Sequence, residues 1–198
     1  MHEASASQLE ATFTTKEVSF GEVSDVAASE ARYCDLTLLP WSAETGAVPD
    51  LAEAIVFGSG RPAIMLPPAT RTTVLDRIAI AWDGSRVAAR ALGDALPLLG
   101  VGGHVCVLTI EDEKPLGGTN LANALTSWLE RRGYSATPVK VGLGDRSVAD
   151  ALQEGALSTE SQLLAMGGFG HSRLRDFVLG GATKGVLERL RLPVLLSH

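Results

Sequence analysis

From Asp76 onward, short apolar runs and amphipathic stretches take turns along the chain, separated by glycine, proline or small polar residues. Ile78–Trp82 (IAIAW) is apolar throughout and stops at Asp83-Gly84-Ser85, the pattern of a strand buried on both faces. Ser85 stands where a helix cap is needed. Val87, Ala88, Ala91, Leu92, Ala95 and Leu96 then recur at helical spacing until Gly100 offers a stop. His104–Ile110 predicts a second strand, and Leu121–Arg132 a helix closed by Gly133. Ala136–Val141 follows as a third strand, weakened at its start by Pro138, and Ser147–Leu157 as a helix. Leu163–Met166, Thr183–Leu190 and Pro193–Leu196 complete the series as strand, helix and strand. Such alternation builds an α/β fold with a parallel sheet, because each parallel crossover needs the length that a helix supplies.

The segment before Asp76 reads like the back half of the same unit. Glu17–Leu39 and Lys140–Met166 each carry a strand ending at glycine, a helix of small residues and an apolar strand. Leu51–Phe57 then matches Ala182–Leu190 as a helix, and Arg61–Pro67 matches Leu192–Ser197 as a strand. The chain is thus expected to hold an incomplete copy at 1–67, a linker at 68–75 marked by Pro67-Pro68 and Thr70–Thr73, and a complete unit at 76–198. Lacking an opening strand–helix–strand, the first copy should leave the Leu36–Leu39 strand with an uncovered edge. Glu17–Phe20 should be irregular or paired with another chain.

Composition narrows the function. Hydrophobic residues make up 45% and charged residues 20%, enough apolar mass for a sizeable core. No apolar run reaches the length of a membrane span, and Glu3 and Glu10 stand where a signal peptide would be basic and apolar. The formal net charge of −6 disfavours nucleic-acid and anionic-membrane partners. Cys34 and Cys106 sit in apolar runs without metal-ligand spacing and read as reduced packing residues of a cytoplasmic protein. No metal site or catalytic residue is expected. His171-Ser172 lacks the second glycine of a nucleophile elbow, Lys184-Gly185 is in the wrong order for a Walker loop, and Gly142-Leu143-Gly144 follows the wrong strand for a dinucleotide fingerprint.

Glycine, at 21 of 198 residues, is where the chemistry gathers. Met166-Gly167-Gly168-Phe169-Gly170 follows the fourth strand, and Gly180-Gly181-Ala182-Thr183 leads into a helix. Parallel sheets bind ligands at the carboxyl ends of their strands, bare glycine backbone can approach a phosphate, and a helix start offers free N–H groups. Asp83 ends the first strand on the same edge, an acceptor for a base amino group or a ribose hydroxyl. The pattern points to a nucleotide or phosphate cleft.

Ile78–Ser85 (IAIAWDGS) and Ala165–Leu196 together resemble the universal stress protein family. Its nucleotide-binding members carry Gly-x2-Gly-x9-Gly followed by Ser, Thr or Asn, which falls here on Gly167, Gly170 and Gly180, with Gly181 in the last place. The resemblance implies an open, doubly wound parallel sheet of five strands in the order 3-2-1-4-5, of the adenine-nucleotide alpha hydrolase type, preceded by a partial copy in the manner of tandem members. It implies ATP or another adenine nucleotide as ligand. Asp83 would bind the adenine side, Met166 and Phe169 would line base and ribose, and Gly167 and Gly170 would shape the loop. Gly180, Gly181, Ala182 and Thr183 would hold the phosphates through main-chain N–H groups. Gly181 departs from the pattern by removing one side-chain donor, and a hydrogen bond to a charged group is worth roughly 1.5–3 kcal/mol. The first copy, with Pro40-Trp41-Ser42 after its strand, should hold no phosphate.

The expectation is therefore a stress-response or regulatory protein that binds an adenine nucleotide without committed turnover. Two alternatives are a ligand-free dimerisation or interaction module and a weak ATP-hydrolysing enzyme. The family's last strand pairs with its counterpart across a dimer or pseudo-dimer, so Arg61–Leu66 and Leu192–Leu196 should pair within the chain or between copies. Cysteines at Met65 and Leu195 should report that pairing by cross-linking.

Overall fold

The computed structural model describes residues 12–42, 47–68, 70, 74–111, 120–168 and 181–198. The first half supplies α1 (Val23–Ala31), β1 (Thr37–Pro40), α2 (Ala47–Gly58) and β2 (Ala63–Leu66). The second supplies β3 (Leu75–Ala81), α3 (Arg86–Ala95), β4 (Leu99–Ile110), α4 (Leu121–Arg131), β5 (Ser135–Val141), α5 (Val148–Ser158), β6 (Leu163–Gly167), α6 (Gly181–Glu188) and β7 (Val194–Ser197). Residues 12–19 are exposed and take no regular structure, and Lys16 pairs with Glu30 of α1. Thr70 turns back onto Pro67 through its backbone N–H (3.0 Å) and its hydroxyl (2.7 Å).

Among the described residues, seven strands join one sheet in the order β1-β2-β7-β6-β3-β4-β5. The five strands of the second half keep the expected 3-2-1-4-5 order, but the sheet runs on through β2 into the first half. That continuation is the antiparallel pairing of β2 with β7; the other neighbouring pairs are parallel. Its register sets Ile64 opposite Leu195 and Met65 opposite Val194. Met65 and Leu195 thus face opposite sides of the sheet, and the cross-link that reports the pairing belongs at Met65 and Val194.

The two parallel pairs flanking this junction match hydrogen bond for hydrogen bond. Thr37 N–H donates to Pro62 O (3.1 Å) where Leu164 N–H donates to Pro193 O (3.0 Å). At the far end, Trp41 N–H donates to Leu66 O (2.8 Å) where Gly168 N–H donates to Ser197 O (2.7 Å). Pro40-Trp41 therefore occupies the place of Gly167-Gly168.

Helices cover both faces. α3 and α4 press Ala91, Leu92, Ala95, Leu125 and Leu129 onto the side of Ile78, Ile80, Val105 and Leu195. α1, α2, α5 and α6 cover the other side, around Ala79, Cys106, Leu164, Met166 and Leu196. Strands buried on both faces must be apolar at every position, which is why β3, β6 and β7 read as continuous hydrophobic runs. Pro138, which has no N–H to give, is tolerated in β5 at the sheet edge, and β1 forms the other edge as expected, with Leu38 exposed.

Several boundaries differ from those read in the sequence, among them α2, which spans Ala47–Gly58 where Leu51–Phe57 was expected. α3 stops at Ala95, before Gly100, because Pro97 enters a short 3-10 turn at Leu96–Leu98. β4 already begins at Leu99 and bulges between the pairs Leu75–Leu99 and Arg77–His104, with Gly102 at φ +79° in the excursion. α6 already includes Gly181, two residues ahead of the expected Thr183. Ser85 and Ser147 do cap α3 and α5, their hydroxyls accepting from Ala88 N–H (3.2 Å) and Asp150 N–H (3.1 Å).

Candidate functional site

β3 lies between β4 on one side and β6 on the other, so the strand order reverses beside it. In an open parallel sheet that reversal opens a crevice at the carboxyl edge. β3 delivers Asp83 there. Its Oδ1 accepts the Ser85 backbone N–H at 2.8 Å, which fixes the corner between strand and helix, and Gly84 at φ +77° makes the turn possible. Asp83 is half-buried.

β6 delivers Met166, Gly167 and Gly168 to the same edge. The Met166 side chain is only 4% exposed and belongs to the core on the α5/α6 face, so its side chain packs inward instead of lining an open cleft. Gly167 is bare because α3 needs the space. A Cβ there would stand 2.5 Å from Val87 Cγ2 and 2.8 Å from the Val87 backbone carbon. A Cβ on Gly168 would meet Phe57 Cε1 and Val56 Cγ1, each at 3.2 Å. Both glycines therefore have packing reasons as well as the proposed ligand reason, and packing was the part that sequence spacing could not show.

The third contribution is the start of α6. Gly181 and Ala182 lie in its first turn, where backbone N–H groups lack intrahelical acceptors and the helix dipole is positive. Gly181 is exposed, and among the described residues no atom lies within 4 Å of a Cβ built on it. Thr183 is 2% exposed, its side chain packed into the protein, which leaves its backbone as the means of reaching a ligand. Phe169, Gly170 and Gly180 lie outside the described residues, as do His171, Ser172, Arg173 and Arg175.

Among the described residues, three buried side-chain polar atoms have no hydrogen-bond partner: Trp82 Nε1, beyond the end of β3, and Ser197 Oγ, in the last residue of β7, at this edge, and Trp41 Nε1 at the corner after β1. A buried donor without an acceptor costs free energy that a bound polar group can recover. In the sequence Trp82 reads as a packing residue near the proposed cleft, and Ser197 as the end of the strand that matches Arg61–Pro67. His198 follows Ser197, and its ring meets Phe57 edge to face with centroids 5.1 Å apart. Desolvation, then the nearby Arg86 guanidinium, holds its imidazole below the ordinary value of 6.5. Among the described residues, no three His, Cys, Asp or Glu side chains converge as a metal site, and no helix is long and apolar enough to cross a membrane. The residues present suit a phosphorylated ligand with hydrogen-bonding groups: an acidic acceptor, backbone donors at a helix start, and two unsatisfied polar atoms.

Comparison with known proteins agrees with this architecture. Residues 75–198 match the model of the universal stress protein family. The chain is 28% identical over 152 residues to universal stress protein Slr1230 of Synechocystis, covering 72% of this chain and 49% of that protein. It therefore spans about half the length of that curated relative. A universal stress protein from Archaeoglobus fulgidus shares the fold with a TM-score of 0.68 and 15% identity, across 88% of this chain and 64% of that one. A Pseudomonas aeruginosa structure does so at 0.56 and 16%, across 88% and 66%. With the family match covering more than half of its residues, the chain belongs to the universal stress protein family.

Proposed function

We propose that the chain binds an adenine nucleotide, ATP or a close relative, at the carboxyl edge of β3 and β6, and that it serves as a stress-response or regulatory protein without committed turnover. The observation that carries the reading is the convergence at the strand-order reversal. Asp83 from β3 and the bare backbone of Gly167-Gly168 from β6 share that edge with the unpaired Trp82 Nε1 and Ser197 Oγ. The exposed start of α6 at Gly181 supplies donors for phosphate. In this reading 76–198 is a complete binding unit, 1–67 an incomplete companion in the manner of tandem members, and the β2–β7 pairing their pseudo-dimer interface. Titration of the purified, folded protein with labelled ATP tests it. Saturable binding is expected, and no binding at millimolar nucleotide overturns it.

A further inference from the structure

The corner after β6 is built by both halves of the chain. Antiparallel pairing sets Ala63, at the start of β2, opposite Leu196 near the end of β7, and α2 leads into β2 through a short turn. The end of α2 therefore lies over the carboxyl edge of the other half. Val56, 2% exposed, and Phe57 flank the Gly168 backbone, while Phe57 also meets the His198 ring. Ser197 O accepts the Gly168 N–H at 2.7 Å. The helix end is itself tied down. Gly58 O accepts from Arg32 Nη2 (3.0 Å) and Nε (3.2 Å), and Gly60 O accepts from Arg90 Nη2 of α3 (3.4 Å).

We propose that Val56 and Phe57 are positioning residues for the nucleotide-binding backbone of Gly167-Gly168, so that affinity in one half depends on the docking of the other. The proposal rests on the nucleotide reading above. Two adjacent glycines carry no side chains with which to fix their own conformation, and a ligand held by backbone N–H groups needs those groups preorganised. β7 restrains one side of Gly168 by a hydrogen bond, and α2 restrains another by contact. Without α2, Gly168 would lose the second of these restraints.

The experiment is an ATP titration of wild type, Phe57→Leu, Phe57→Ala, Gly168→Ala and the double variant Phe57→Ala/Gly168→Ala, each shown folded by circular dichroism at the titration temperature. Phe57→Ala should weaken binding roughly five- to tenfold, within the usual range for coupling between sites, and Phe57→Leu should restore it to within about twofold. Gly168→Ala should weaken it similarly, and the double variant by less than the product of the two losses, because removing the ring makes room for the methyl group. A purely structural Phe57 would lower the melting temperature while leaving the affinity of the folded protein unchanged, and that result overturns the proposal. Losses that simply multiply overturn it as well. Should Phe57→Ala fail to fold, Gly168→Ala probes the same contact with α2 intact, and unchanged affinity there is equally decisive. Wild type that binds no ATP overturns this proposal and the nucleotide reading together; wild type that binds, with indifferent variants, overturns this one alone.

Discussion

The strand pairs β1–β2 and β6–β7 share a hydrogen-bond pattern, and their corners are finished in opposite ways. After β1 the backbone carries Pro40-Trp41, with Trp41 5% exposed in the core. After β6 the equivalent positions are Gly167-Gly168, and the space is taken by Val87 of α3 and by Val56 and Phe57 of α2. One corner closes with its own indole. The other stays bare, so that neighbouring elements, and in the proposed function a ligand, can reach its backbone. The candidate binding corner is a packing corner that carries no side chains of its own.

Trp41→Ala breaks the closed corner and should have the largest effect, a loss of about 3–5 kcal/mol of stability, as for other buried Trp truncations, read from urea unfolding. If the corners differ as described, the folded variant should keep its ATP affinity. Gly167→Ala breaks the open corner. Its methyl group overlaps Val87, so about 1–3 kcal/mol of stability should go, and binding with it, checked by unfolding and titration. Gly181→Ser sharpens the comparison by adding a hydroxyl at a position where no described atom would meet a Cβ. ATP affinity should rise by roughly 1.5 kcal/mol, about tenfold, with little change in stability.

The smallest expected effect is on pH. His198 beside the open corner is held below 6.5 by desolvation and Arg86, and His104 by burial and Arg77. Between their folded values and 6.5 the unfolded chain binds more protons, so stability rises with pH across that window. The stabilisation is complete above about 6.5 and is lost as pH falls through the folded values. Urea midpoints measured between pH 7 and 5 should fall less steeply in His198→Asn than in wild type.

Much of this was legible in the sequence because it is local. IAIAW followed by Asp-Gly-Ser announces strand, corner and cap within eight residues, and the structure places all three there. The early start of α6 was not, because Gly181 and Ala182 carry no periodic apolar signal. Long-range restraints were equally invisible. Gln153 reads as a polar residue on a helix, yet it is fully buried, donating to Arg189 O (3.0 Å) and accepting from Arg191 N–H (2.8 Å) to clamp the turn into β7. Gln162 secures the entry to β3 in the same way, accepting from Asp76 and Arg77 N–H and donating to Val74 O. Met166 was read by position along the strand, whereas alternation across the sheet decides which face it occupies. The glycine spacing pointed to the candidate corner after β6, and the packing of α2 beside it required the folded chain.

The place of β7 in the sheet has a kinetic corollary. It is the last strand in sequence but lies third from one edge, seated between β2 and β6. Until it is made, α1 through β2 has no strand by which to join the remainder, and β2 presents an unpaired flank to the cell. Closing that gap links segments from distant parts of the chain, which is entropically slow. During synthesis the earlier strands must therefore wait with open edges, the interval in which a chain of this topology is most exposed to pairing with the wrong neighbour.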